Sequence, residues 1–203
     1  MILSSKVVNQ LKPIIFLLLI APSFYWSVSL VQGNLGVNPI DKLMDELGQM
    51  ALRLIILTLI VSSLSQFKLL RALQNIRRMI GLIAFYYVLS HFLTYIVLDH
   101  FFNWNFIFKD IIKRPFITLG FINFILLLPL VFTSTNVMVK KLTFKIWKKL
   151  HSLIYIIAPL AALHYYLLTK ADKTEPLIYL GIILLLLLWR FYFKIIKNFF
   201  NLL

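Results

Sequence analysis

The chain has 203 residues, of which 61% are hydrophobic and only 14% charged, with no cysteine and a formal net charge of +14. A soluble domain averages about 45–50% apolar and about 25% charged residues, so this chain lacks the polar surface that a water-surrounded globule needs. The lack of cysteine excludes disulfides, thiolate metal sites, iron–sulfur clusters and cysteine nucleophiles, and it leaves any metal chemistry to four histidines and seven carboxylates.

Six apolar stretches follow in chain order at about 13–31, 48–67, 79–98, 116–135, 150–168 and 177–193. Each is near the roughly 20 residues that cross a hydrocarbon core of about 30 Å. Only helices and closed barrels satisfy their backbone in lipid, and barrels need short alternating segments. The expected fold is therefore an all-α integral membrane protein, a single six-transmembrane-helix bundle over residues 1–203. The first stretch follows a basic start, as a secretory signal does. It is longer than a signal core and a second span follows it, so it is expected to stay in the membrane as a helix. Pro22, Pro129 and Pro159 are expected to kink their helices.

An even number of spans puts both termini on one side, and the charges say which. If the termini are cytoplasmic, the inner side receives Lys6, Lys12, Lys68, Arg71, Arg77 and Arg78 from the first half. From the second it receives Lys140, Lys141, Lys145, Lys148, Lys149, Arg190, Lys194 and Lys197. These fourteen basic residues meet no acid, whereas all seven acids fall outside with six other cations. That asymmetry is the positive-inside signature, and it accounts for the basic composition without a nucleic-acid partner.

Ionisable groups inside a membrane are expensive, which makes each a functional candidate. His91 lies in the third span 13 residues beyond Arg78, and His164 in the fifth span 15 residues beyond Lys149. At 1.5 Å per residue both are about 20 Å from the inner charge clusters. Two imidazoles at one depth on separate helices suit bis-axial ligation of a b-type haem. The alternative is a pair of interhelical hydrogen bonds. Phe85, Tyr86, Tyr87, Phe92, Tyr165 and Tyr166 surround the two positions in sequence. Arg53, inside the second span, is a candidate for a haem propionate, or else it snorkels to the outer headgroups.

His151 is expected at the inner boundary, 13 residues before His164. In one ideal helix the two side chains are about 140° apart in projection. A second haem would need an imidazole on the third span at the level of His151, and the residue 13 before His91 is Arg78. One haem is thus favoured over two, with His151 ranking behind His91 and His164 as an iron ligand. His100 falls past the end of the third span. The six glycines form no dinucleotide or phosphate loop, and no HExxH or nucleophile elbow is present. Electrons, if the protein carries them, must come from a membrane-borne donor or another polypeptide.

Several segments together resemble one family: IRRMIGL before His91, KRPFITLG in the outer loop, FTSTNVMVKKL, and WKKLHSLIYIIAPLAALHY with His151 and His164. They are similar to the MsrQ family, the haem-binding membrane subunits of periplasmic methionine-sulfoxide reductase systems, within the ferric-reductase-like transmembrane group. The resemblance implies electron transfer from membrane quinol through haem b to a periplasmic molybdopterin-containing reductase that repairs oxidised proteins, in the bacterial inner membrane. It also implies a flavin mononucleotide (FMN); if one binds, the inner-face cluster of Arg77, Arg78 and His151 is the candidate for its phosphate, the alternative for the two arginines being a positive-inside anchor. The competing readings are a quinol-oxidising cytochrome b subunit of another oxidoreductase and a non-redox transporter or scaffold subunit.

Overall fold

The computed structural model describes residues 4–200, with side chains described as far as residue 193. Every regular element among these is helical. Helix α1 spans Ser5–Val31 and α2 spans Pro39–Leu64. A 3-10 segment, Lys68–Leu73, leads into α3, Gln74–Leu93, which continues as a π-helical turn over Thr94–Asp99. Then come α4, Trp104–Lys113; α5, Pro115–Phe132; α6, Asn136–Lys141; α7, Thr143–His151; α8, Ile154–Leu168; and α9, Thr174–Phe200. Six helices are long and apolar enough to cross a membrane, α7 and α8 together forming the fifth.

The bundle is built around α2. Its Leu43, Leu47, Leu54, Ile55 and Leu59 are buried, while α1, α5 and α9 turn Leu17, Leu18, Phe24, Ile125, Leu185 and Leu188 outward. Lipid is as apolar as leucine, so helix association rests on close packing and interhelical hydrogen bonds. Ala158 and Ala162, one turn apart on α8, have no exposed surface and let α8 approach α2 and α9, which it contacts. The fully buried Tyr87 ties α3 to α1. Its hydroxyl donates to the Leu19 carbonyl at 2.7 Å and accepts from the Ser23 N–H at 3.2 Å. It therefore sits between the i and i+4 groups of one α1 turn, beside Pro22, where a proline weakens the ladder.

Several boundaries differ from the sequence reading, for local reasons. Helix α2 begins nine residues before the expected 48, because Pro39 starts it at N1, Asp41 sits in its first turn and Leu43 and Leu47 already face the core. The fifth span is not one helix: α7 and α8 are separated at Ser152–Leu153, so the phase computed for a single ideal helix from His151 to His164 does not apply. The segment that joins the third and fourth spans forms a short amphipathic helix, α4, Trp104–Lys113. Its Asp110 is only 5% exposed, because Arg114 donates to it at 2.7 Å and Tyr95 at 3.1 Å.

The inner end is taken as the end that carries the basic cluster; Lys194 and Lys197 of that cluster lie outside the described side chains. Reporter fusions after Lys141 and after Lys173 are expected to report opposite sides, cytoplasmic and periplasmic. The same side for both would overturn the orientation.

Candidate functional site

His91 and His164 face one another across the outer half of the bundle, with ring centroids 6.3 Å apart and ring planes 87° from parallel. Neither ring is free to turn. The His91 Nδ1 lies 2.8 Å from the Met44 carbonyl of α2, and the His164 Nδ1 lies 2.5 Å from the Phe116 carbonyl of α5. A carbonyl only accepts, so each Nδ1 carries the proton. The Nε2 atoms are left with a lone pair and no hydrogen-bond partner among the described residues.

That arrangement tests directly whether a haem iron suits the donor set. A metal held by two imidazole nitrogens at about 2.0–2.1 Å each separates the ring centres by about 6 Å, which matches the spacing found. Ligating histidines characteristically donate their other N–H to a carbonyl, which fixes tautomer and ring orientation. The residues present therefore fit axial ligation. Beside the pair, Phe92 stacks on Phe124 at 4.4 Å, and Phe85 stacks on the same ring at 6.0 Å, an apolar wall between α3 and α5. Tyr86 and Tyr87 do not join it. Both turn toward α1, where Tyr86 donates to Ser23 Oγ at 3.1 Å.

Arg53 is held in a network on the other side of α2. It donates to Tyr179 at 2.7 Å and to Gln49 at 2.8 Å, and reaches Glu175 at 3.4 Å. Glu175 in turn accepts from Tyr165 at 2.9 Å and Tyr179 at 3.0 Å. These bonds give Arg53 the task of fastening α9 to α2, and a propionate would have to displace Glu175 to use it.

The inner cluster assembles as a separate site. Arg77, Arg78 and His151 line one cavity between α2, α3, α5, α7, α8 and α9, together with Ser62, Tyr155 and Arg190. His151 stacks on Trp147 at 4.0 Å, and its Nε2 lies 3.2 Å from Thr133 Oγ1. Arg77 and Arg190 both donate to Ser62 Oγ, at 3.2 and 2.8 Å. Two cations thus converge on one neutral hydroxyl, an arrangement that suits an anionic group. Arg78 donates to Asn136 at 2.7 Å and borders a cleft of about 870 Å³ open between α1, α3 and the α6–α7 segment, where Lys12, Phe144 and Trp147 also face it. His100 belongs to neither site. It packs on Tyr95 and Phe106 at the outer surface, between Asp99 and Asp110.

Sequence reasoning missed Met44, Gly48, Phe116 and Gly120, which grip the two histidines, and Ser62 and Arg190 of the inner cavity. A glycine one turn after each carbonyl acceptor was visible in the chain, but nothing in the sequence says which histidine would use it.

Comparison with known proteins places these residues in context. Residues 47–162 match the family described as ferric reductase like transmembrane component, a region that takes in Gly48, His91, Gly120 and His151. The protein-methionine-sulfoxide reductase heme-binding subunit MsrQ of Caulobacter vibrioides is 49% identical over 158 residues, covering 78% of this chain and 75% of that protein. The subunit of the same name from Herminiimonas arsenicoxydans is 41% identical over 182 residues, covering 89% and 84%. The magnetosome protein MamZ of Magnetospirillum gryphiswaldense is 39% identical over 188 residues, covering 89% of this chain but 29% of its own length.

Proposed function

The chain belongs to the ferric-reductase-like transmembrane family and, within it, to the MsrQ family, as a multi-pass protein of the bacterial inner membrane. From that membership we propose that it binds haem b between His91 and His164 and carries electrons from the quinone pool to a periplasmic molybdopterin-containing enzyme that reduces methionine sulfoxide in oxidised proteins. The observation that carries this reading is the facing pair of imidazoles with both Nδ1 atoms committed to backbone carbonyls. A haem bound there supplies one-electron exchange between its ferric and ferrous states.

The chain's own residues do the rest. The Met44 and Phe116 carbonyls hold each imidazole as the Nε2 donor, and hydrogen bonding at Nδ1 raises the basicity of that donor. Phe85, Phe92 and Phe124 keep water from one side, which lowers the local dielectric and with it the stability of added charge. On the inner side, Arg77, Arg78, Arg190 and His151 offer cations and a titratable group to an anionic donor. That donor is a reduced quinone or an FMN anchored through its phosphate, and the adjoining cleft of about 870 Å³ falls in the size class of cofactor pockets. A single haem is proposed, since the third span carries Arg78 where a second imidazole would be needed.

The test is the absorption spectrum of detergent-solubilised protein, oxidised and then dithionite-reduced. Low-spin b-type bands that sharpen on reduction are expected. A colourless protein after expression with ample haem would overturn the proposal and favour a purely structural role for the histidines.

A further inference from the structure

Both halves of the bundle use the same device to hold a histidine. On α2, Met44 and Gly48 are one turn apart; on α5, Phe116 and Gly120 are one turn apart. In each case the carbonyl accepts from the imidazole Nδ1, and the glycine four residues later gives the ring somewhere to lie. A Cβ added at Gly48 would stand 3.1 Å from Cε1 and Nδ1 of His91. One added at Gly120 would stand 2.9 Å from Cε1 and 3.1 Å from Nδ1 of His164. Real Cβ atoms essentially never approach as closely as at Gly120, and the contact at Gly48 is tighter than nine in ten of them, so a side chain at Gly120 would displace the ring and one at Gly48 would press it aside by a few tenths of an ångström. Gly81 and Gly181 have no such neighbour within 4 Å, so the feature is confined to the two helices that face the histidines.

We propose that Gly48 and Gly120 are positioning residues that set the planes of the two axial imidazoles nearly perpendicular, each glycine and its carbonyl forming a notch that fixes one ring. The inference rests on the haem reading above and adds to it an orientation. A notch restrains rotation about the ligand bond as well as the choice of nitrogen, because the carbonyl fixes the direction of the Nδ1–H and the bare glycine Cα the face against which the ring lies. The two notches belong to different helices, and the rings they hold are 87° apart. Axial ligand orientation is one of the levers by which a protein tunes haem iron. Perpendicular imidazoles leave the two iron d orbitals that bond with them nearly equal in energy, whereas parallel imidazoles split them.

Electron paramagnetic resonance of the oxidised, haem-loaded protein separates these cases without an activity assay. Wild-type protein is expected to show the highly anisotropic low-spin signal, with one large g value, that perpendicular planes produce. Gly120→Ala is expected to shift that signal toward the three-line rhombic form and to weaken haem binding by about 10- to 100-fold, the usual cost of disturbing a partner of a metal ligand. Gly48→Ala, whose contact is less severe, carries the test if Gly120→Ala fails to accumulate. Gly181→Ala serves as the control and should match wild type. A rhombic wild-type spectrum would overturn the proposal, as would alanine variants with unchanged g values and haem content. A wild-type protein without haem would instead overturn the reading on which it stands.

Discussion

Replacing His91 or His164 by alanine is expected to give protein that inserts into the membrane and carries almost no low-spin haem. On the proposed reading each ring supplies one of the two protein bonds to the iron, so its loss exceeds the 10- to 100-fold effect of removing a hydrogen-bonding partner; haem content should fall by more than about 100-fold. The folding cost is smaller. His91 and His164 make one interhelical hydrogen bond apiece, worth about 1 kcal/mol in a bundle of this kind, and the carbonyls they release keep their own helical partners. Insertion and spectrum therefore separate, and protein level measured by immunoblot beside the haem bands distinguishes a lost ligand from a lost fold. His100→Ala is the control. That residue sits in the outer cluster with Asp99 and Asp110, and its removal should leave the haem bands unchanged. Normal haem after removal of either His91 or His164 would refute the pairing.

The second large effect is expected at His151, and it is kinetic. His151→Ala should leave most of the bis-imidazole spectrum in place and slow haem reduction by the physiological donor about tenfold, equivalent to ~1.4 kcal/mol of barrier. The reason is location: His151 shares a cavity with Arg77, Arg78 and Arg190 on the basic side, the only described cluster there that contains an imidazole. Its structural work is modest. Thr133 Oγ1, which it meets at 3.2 Å, already donates to the Pro129 carbonyl at 2.6 Å, so the lost contact costs about 1 kcal/mol or less. Stopped-flow reduction of membranes with a quinol, read at the haem bands, measures the effect. Loss of the whole haem signal would make His151 a ligand, and unchanged kinetics would leave it only the stacking on Trp147 and the bond to Thr133.

What the sequence by itself determined follows from solvent and spacing. Lipid admits few backbone arrangements, so six apolar stretches of membrane length dictate six helices, and fourteen unbalanced basic residues dictate their expected orientation. The depth of a residue is likewise nearly a property of the chain, because a helix rises by a constant 1.5 Å per residue; counting from Arg78 and Lys149 put His91 and His164 at one level before any contact was known. Azimuth is a different matter. The direction in which a side chain points depends on how helices are rotated against their neighbours and where they break, and the interruption at Ser152–Leu153 shows how one break between α7 and α8 invalidates a phase counted along the chain. Only tertiary packing could bring the Met44 and Phe116 carbonyls to the two imidazoles, match the bare surfaces of Gly48 and Gly120 to their rings, and turn Asp110 inward onto Arg114 and Tyr95. Packing also joined Arg53 to Glu175 across 122 residues of chain and gathered Arg77 and Arg190 on Ser62. Backbone carbonyls and glycines look alike in every helix, and they acquire chemistry only from what a neighbouring helix presents to them.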